Sequence, residues 1–505
     1  MTGWSTADWL RWSTADWLRW SSEGWQLHRG GPSVAGDSIP SDPAAGDPVA
    51  GDSIPALAAA AASARPDEVA VSVDGEPITH AELDDAAARI AGWLRWRGLA
   101  PGDRVLLVGG SSLGFVRCYL GALRAGAVVV LANPAYTATE LAHLAADSGA
   151  VLAFTGPGVA AGIPSAGISV VPDAPPAGVT PRAGDIALLA YTSGTTGTPK
   201  GVPLTHRNLI SSAGSAMTAW RWSAGDVLVH ALPLFHQHGL SGVHTALISG
   251  GSTHILSRFA PAPLIAAVRA VRASVLFGVP TMYQALFDHG VPVPGLRLAV
   301  CGSAPLSPAL ATRLPELLGL LPLVRYGTTE TGLNISNPVD APRTGTIGMP
   351  LPGVEVRLAD DGEIQLRGPQ VFGGYWRAGG SAFTGDGWFR TGDIAALENG
   401  HLAIRGRSKE LIITGGLNVY PREVEIALES HPSVREAAVA GRPHQRWGEQ
   451  VTAWVVVGDG HDFDEAALIA HARTLLAPYK CPKQIFRLAA VPRNPLGKII
   501  RDALA

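Results

Sequence analysis

An α/β fold with a β-rich subregion is expected, and three features of the sequence predict it. Between Glu82 and Ala132, helical spacing at Glu82–Gly98 and Phe115–Ala125 alternates with short apolar strands at Arg104–Gly109 and Ala127–Ala132. A chain that alternates in this way builds a parallel sheet, because each strand returns through a helix. A second alternating stretch runs from Asp185 to about Arg325. Shorter strand-like segments at Glu355–Arg367 and Trp388–Arg405, with turn residues between them, predict a mainly β region.

After Gly406 the pattern is mixed again. Helices are expected near Arg422–Ser430 and at Asp464–Leu476, and strands near Val434–Ala440 and Val451–Val457. The basic, turn-prone piece Arg405–Lys409 marks a boundary. The expected organisation is an extension over 1–53, a large N-terminal domain of α/β subdomains over 54–407, and a smaller α+β C-terminal domain over 408–505.

The extension is unusual. Trp4–Arg11 is repeated letter for letter at Trp12–Arg19, and VAGDSIP occurs at Val34–Pro40 and Val49–Pro55. Two short duplications do not make a solenoid. The segment reads as dispensable, with a docking amphipathic helix as the other reading.

Composition narrows the function classes. Of 505 residues, 47% are apolar and 16% charged, so the body is no disordered polyelectrolyte. Net charge is −3, which offers no global attraction to nucleic acid. The widely separated Cys118, Cys301 and Cys481 have no metal-ligand spacing. Any disulfide would leave one over, which favours a reducing compartment. With no apolar run of about 20 residues and no signal-peptide pattern, a cytoplasmic protein without a membrane span is expected.

The chemistry concentrates in a few segments. Tyr191–Lys200 reads YTSGTTGTPK and follows the apolar strand Ile186–Ala190. Thr192, Ser193, Thr195 and Thr196 offer hydroxyls, Gly194 and Gly197 free the backbone, and Lys200 adds a cation. Together they suit a polyphosphate. The spacing differs from GxxxxGK[ST], so this is not a Walker A loop. Taken alone it says only that a phosphate binds.

YTSGTTGTPKG resembles the signature of the adenylate-forming superfamily of acyl-CoA synthetases, peptide-synthetase adenylation domains and luciferases. Other segments fall in that family's order: PLFHQHG at Pro233–Gly239, GVPTMY at Gly278–Tyr283, CGSAPL at Cys301–Leu306 and RYGTTET at Arg325–Thr331. They continue with GEIQLRG at Gly362–Gly368, WFRTGD at Trp388–Asp393, the Arg405–Glu425 stretch and PLGKI at Pro495–Ile499. The resemblance covers about Ile54 to the C-terminus.

It implies a ligase that joins a carboxylate to the α-phosphate of ATP, releases pyrophosphate, and then transfers the acyl group to coenzyme A. Negative charge builds on phosphate oxygens, so cations and oriented donors would supply the catalysis. By resemblance the Thr192–Lys200 loop takes the β/γ-phosphates. Tyr326, with Arg325, Gly327 and Thr328 beside it, packs on adenine opposite Gly302, Ser303, Ala304 and Pro305. Thr329 bonds the α-phosphate, and Glu330 holds Mg²⁺, a hard cation suited to oxygen ligands.

Asp393 matches the ribose-binding aspartate, assisted by Arg407. Lys498 matches the catalytic lysine. Lys409 matches a hinge about which the C-terminal domain swings to present Gly415 and Gly416 to pantetheine. Read singly, Asp393, Arg407 and Lys498 would be surface charges. His236 is either an acyl-pocket residue or a core histidine; His238 and His244 read as structural.

The substrate-side segments most resemble malonyl-CoA synthetases, with two departures. Ala285 stands where that subgroup carries an arginine for the second carboxylate, and Thr328 stands where it carries methionine. A buried dicarboxylate without its cation is disfavoured, so an acid lacking a distal carboxylate is expected. Arg258 could compensate. Other acceptors (an amine, or a carrier-protein thiol in trans), activation of nitrite, and a non-catalytic sensor are the competing readings.

Overall fold

The structure, a computed structural model, describes residues 28–29 and 53–504, except 179–180, 193–198, 378–381, 415–416 and 495–496. Apart from residues 28–29 and 53, the extension therefore lies outside the described residues. So do Ser193, Gly194, Thr195, Thr196 and Gly197 of the phosphate loop, and Gly415 and Gly416.

The first alternating stretch forms a six-stranded sheet. Its order is 165–167, 150–155, 104–108, 128–132, 186–192 and 200–205, parallel except for the last pair. The second forms a nine-stranded sheet in the order 349–350, 332–336, 323–328, 298–301, 275–278, 227–230, 252–255, 69–73 and 76–79. Its central strands are parallel, and they are short and fully buried, as strands covered on both faces must be. One crossing is not apparent in the alternation. The hairpin 69–79 joins the second sheet beside 252–255, away from its neighbours in sequence.

Local chemistry starts the helices where the pattern predicts. His80–Trp96 opens on a reciprocal box: the Thr79 hydroxyl accepts from the Glu82 amide at 3.2 Å, and Glu82 Oε2 accepts from the Thr79 amide at 2.9 Å. Thr137 and Glu140 repeat the device for Ala138–Ser148. The β-rich region is an antiparallel meander of 355–358, 363–367, 389–398 and 401–407, with His28–Arg29 paired in parallel on its edge.

The C-terminal part has its own core. A hairpin of Val434–His444 and Gly448–Val457 is flanked by Ile412–Thr414 with Leu417–Val419, and by Gln484–Arg487. Helices Pro421–Glu429 and Glu465–Leu475 pack their Val424, Leu428 and Leu468 with the sheet residues Val439, Val451 and Val455. The strand at 484–487 was not expected from the sequence.

The helix Ile54–Ala64 opens on Ile54. Its side chain is fully buried and its amide donates to His206 Nδ1 at 3.3 Å. Deleting residues 1–52 is expected to shift the melting temperature by no more than about 2 °C, the scale of a surface change. Ile54→Ala should cost about 2–5 kcal/mol through the cavity it leaves. Thermal melts of both variants check this; a large loss on deletion would make the extension part of the fold.

Candidate active site

Four distant segments converge at the ends of the strands. The first is the hairpin whose strands pair Thr192 with Lys200 across the phosphate loop. The Lys200 ammonium lies 5.2 Å from the Tyr375 ring centroid, and the Tyr375 hydroxyl donates to Glu330 Oε1 at 2.9 Å. Burial and the Glu330 carboxylate both raise the Tyr375 pKa, so it stays a donor. The Phe372 amide holds the Glu330 carbonyl at 2.9 Å. Thus the sequence-predicted Lys200 and Glu330 meet through one ring.

Glu330 keeps Oε2 for another partner. Among the described residues no cluster of three or more His, Cys, Asp or Glu is placed to hold a metal. One carboxylate suits Mg²⁺ bound with phosphates, since that ion keeps several waters and takes one or two protein carboxylates.

The second segment is the strand Leu323–Thr328. Side chains alternate along a strand, so Arg325 and Tyr326 leave on opposite faces. The Tyr326 hydroxyl donates to Asp393 Oδ2 at 2.7 Å, and Arg407 Nε lies 2.8 Å from Asp393 Oδ1. Asp393 and Arg407 are directly paired on neighbouring strands, 389–398 and 401–407. The Asp393 side chain is 6% exposed and that of Arg407 44%. Asp393 is the main reason the Arg407 pKa is raised, while burial chiefly pushes Tyr326 well above the usual phenol range. Thr328 Oγ1 is 2.9 Å from Thr331 Oγ1, and Thr329 and Glu330 form the turn into Gly332–Ser336.

The third segment comes from the C-terminus. Arg493 and Ile499 bridge antiparallel, the Asn494 amide donates to the Lys498 carbonyl at 2.9 Å, and Asn494 Oδ1 accepts from the Lys498 amide at 3.0 Å. Gly497 turns the loop with φ +77°, and a β-carbon there would lie 3.7 Å from Thr281 Oγ1 and 4.0 Å from Val279 Cγ2. The loop is thus seated on the GVPTMY segment. Lys498 itself is exposed. Burial lowers its pKa, Arg407 adds to that, and Asp393, Glu330 and Glu410 oppose it. A lysine expected on the surface in isolation is thus subject to the charges of Arg407, Asp393, Glu330 and Glu410.

The fourth segment is Pro233–Gly239 with the Gly302–Pro305 turn. His236 caps helix Gln237–Ser249; its Nε2 is buried without a partner, and burial, then Lys498, lower its pKa to about 4. His238 Nδ1 is hydrogen-bonded to Ser303 Oγ at 2.9 Å, and its Nε2 is likewise buried and unpartnered. Ser303 holds a φ of +69°, unusual for a residue with a β-carbon. Ala304 and Pro305 continue this turn toward the surface. Gly302 is required by close approach: a β-carbon would sit 2.3 Å from Arg325 Nε.

Other predicted residues fall as follows. Lys409 lies in the 3₁₀ turn Ser408–Glu410 directly after the meander. Ala285 is half-buried on helix Pro280–His289, next to Gln284, which donates to Asp288. Arg258 is exposed. His244 is buried, with its Nε2 2.8 Å from the Tyr119 hydroxyl. His238, also read as structural, is bonded to Ser303 as described above. Tyr375 was missed; nothing in its sequence neighbourhood signals that it spans Lys200 and Glu330.

The comparisons agree with this geometry. Residues 58–376 match the model of the AMP-binding enzyme family, and residues 423–498 match that of the AMP-binding enzyme C-terminal domain. The chain is 36% identical over 468 residues to the feruloyl-CoA synthase of an Amycolatopsis species, covering 86% of this chain and 95% of that one. It is 36% identical over 371 residues to the mitochondrial malonate–CoA ligase ACSF3 of Mus musculus, covering 63% and 64%. The crystal structure of ATP-bound MatB from Rhodopseudomonas palustris superimposes with a TM-score of 0.82 at 35% identity, over 90% of this chain and 98% of that one. The expected α/β architecture with a smaller C-terminal domain is the one these neighbours share. With the two parts in order and the cationic and acidic side chains gathered at one cleft, the chain belongs to the AMP-binding enzyme family and is an AMP-forming acyl-CoA synthetase.

Proposed function

We propose that the cleft activates a small carboxylic acid with ATP and then passes the acyl group to the thiol of coenzyme A. The observation that carries this reading is the seating of the loop that bears Lys498, through Gly497, against Thr281 and Val279 of the GVPTMY segment, with Arg407, Asp393 and Glu330 among the charges that act on Lys498. In the first step a carboxylate oxygen attacks the α-phosphorus and the bond to pyrophosphate breaks. Lys498 neutralises charge on the attacking carboxylate and the α-phosphate oxygens. Its lowered pKa reflects a desolvated ammonium, whose field is less screened than in water.

Thr192, the loop after it and Lys200 receive the β- and γ-phosphates. Asp393 accepts from the ribose hydroxyls while Arg407 and Tyr326 fix its carboxylate. Tyr326 packs the adenine, Gly302–Pro305 lines its other side, and Thr329 donates to the α-phosphate. Mg²⁺ at Glu330 would offset phosphate charge. His236, neutral, closes the acid pocket beside Lys498.

The second step needs the thiol to reach the acyl carbonyl along a narrow path. Rotation of residues 408–505 about Lys409, which removes Lys498 and brings in the 415–416 glycines, supplies that path. Coenzyme A is the preferred acceptor; a carrier-protein thiol in trans or an amine would use the same acyl-adenylate. The extension 1–53 has no part in either step, and a cytoplasmic site of action fits the three free cysteines.

Two experiments test the assignment. Lys498→Ala should reduce acid-dependent pyrophosphate exchange roughly 100- to 1,000-fold, while thioester formation from a supplied acyl-adenylate persists. Equal loss of both half-reactions would break the division of labour. Asp393→Asn should raise the KM for ATP roughly 10- to 100-fold, the worth of hydrogen bonds to a charged group. An unchanged KM would remove Asp393 from the nucleotide site.

A further inference from the structure

The segment that carries Tyr375 is strapped to the large domain before and after the ring. Asn208 Nδ2 donates to the carbonyls of Pro369 at 2.8 Å and Val371 at 3.0 Å. The Phe372 amide donates to the Glu330 carbonyl at 2.9 Å, and the Trp376 amide donates to the Gly201 carbonyl at 2.8 Å. Residues 372–376 thus reach from the turn that bears Glu330 to the strand Lys200–Thr205. The approach at the second end is close: a β-carbon on Gly201 would lie 2.9 Å from Trp376 Cβ.

The ring is fixed as well as the backbone. Phe372 meets Tyr375 edge to face, with centroids 4.9 Å apart and planes at 74°. Phe372 is nearly fully buried and is packed in turn by Phe383 and Phe389, at 5.8 and 5.3 Å. Edge-to-face pairs of this kind favour one ring orientation over others. In that orientation the hydroxyl donates to Glu330 Oε1 at 2.9 Å, and the Lys200 ammonium lies over the ring, 5.2 Å from its centroid.

One side chain therefore serves two opposite charges. A hydrogen bond to a carboxylate oxygen is strong and directional, while a cation over a half-exposed ring is held weakly. Among the described residues Lys200 and Glu330 form no ion pair with each other; each meets Tyr375 instead. A direct pair would neutralise both charges, and an entering phosphate or metal ion would have to break it first. With the tyrosine in place, Glu330 is engaged through Oε1 and Lys200 only through a ring face.

We infer that Tyr375 is a positioning residue: it orients the Glu330 carboxylate through one oxygen and keeps the Lys200 ammonium from closing onto it, so that the two charges receive Mg²⁺ and the outer phosphates of ATP separately. This rests on the reading of the cleft as a site for Mg²⁺ and ATP given above. Tyr375 acts through Glu330 and Lys200 and takes no part in making or breaking bonds.

Two variants separate the two contacts. Tyr375→Phe removes the hydroxyl and keeps the ring, and Tyr375→Leu removes both. Binding is measured without any acid: Mn²⁺, a paramagnetic stand-in for Mg²⁺ that also suits carboxylate and water ligands, is titrated onto the ATP-loaded protein by electron paramagnetic resonance. Calorimetry gives the affinity for metal-free ATP. Tyr375→Phe should weaken Mn²⁺ binding, and raise the Mg²⁺ needed for half-maximal pyrophosphate release, roughly 10-fold or more, the scale for removing a partner of a metal-binding carboxylate. Its affinity for metal-free ATP should stay within about twofold, because the ring still carries Lys200. Tyr375→Leu should add a loss of metal-free ATP affinity of roughly fivefold, the worth of a part-exposed ion pair that ATP must now break. In a Glu330→Gln background, Tyr375→Phe should have no further effect on Mn²⁺ binding, since it acts through that carboxylate.

Variants that melt at lower temperature yet bind Mn²⁺ and ATP as the wild type does would make Tyr375 a packing residue and overturn the inference. Equal affinity of both variants for metal-free ATP would overturn the separation of Lys200. Additive losses in Glu330→Gln would overturn action through the carboxylate. A wild type that binds Mn²⁺ and ATP but releases no pyrophosphate with any acid would remove the ligase reading alone, and the binding comparison would still decide the role of Tyr375.

Discussion

The buried carboxylate of Asp393 organises the cleft. A carboxylate removed from water needs partners of opposite charge and donated hydrogen bonds. Here they come from two directions: Tyr326, on the nine-stranded sheet, and Arg407, on the last strand of the meander. One carboxylate therefore ties the nine-stranded sheet to the β-rich region. The 3₁₀ turn Ser408–Glu410 starts at the residue after Arg407.

Beyond that turn, a second set of ion pairs continues the connection. Arg501 Nε lies 2.9 Å from Glu410 Oε2, and its Nη2 lies 3.0 Å from the almost fully buried Glu425 Oε1. Arg422 pairs with both Glu425 and Glu429 on the same helix. The residue that bridges to the connecting turn is thus only a short step along the chain from Lys498. Position of the lysine and position of the turn are mechanically joined, while the Asp393 cluster stays with the large domain.

Much of this was legible in the sequence, for physical reasons that differ by element. The strand–helix alternation from Glu82 to Ala132 is set by local apolar spacing, and each element formed within a few residues of its expected ends. The motifs marked Lys200, Glu330, Asp393, Arg407 and Lys498, whose chemistry is tied to short stretches of chain. What was not legible depends on contacts made at long range. The 69–79 hairpin looks like its neighbours yet joins a different sheet, because edge pairing is chosen by the assembled core. Tyr375 looks like any loop aromatic until Lys200 and Glu330 arrive on either side of it. The phosphate loop and the 415–416 glycines lie outside the described residues, so their roles rest on the motifs.

Gly497 has a consequence that reaches beyond local geometry. Its φ of +77° belongs to the loop arrangement that seats Gly497, next to Lys498, against Val279 and Thr281. A residue with a β-carbon would disfavour this arrangement by its backbone alone, without touching the lysine. An arrangement that withdraws the loop from the cleft and relaxes that turn would be spared the penalty. The glycine therefore acts on an equilibrium. On the proposed mechanism it would set the fraction of molecules poised for the first chemical step, while the intrinsic reactivity of each poised molecule stayed the same.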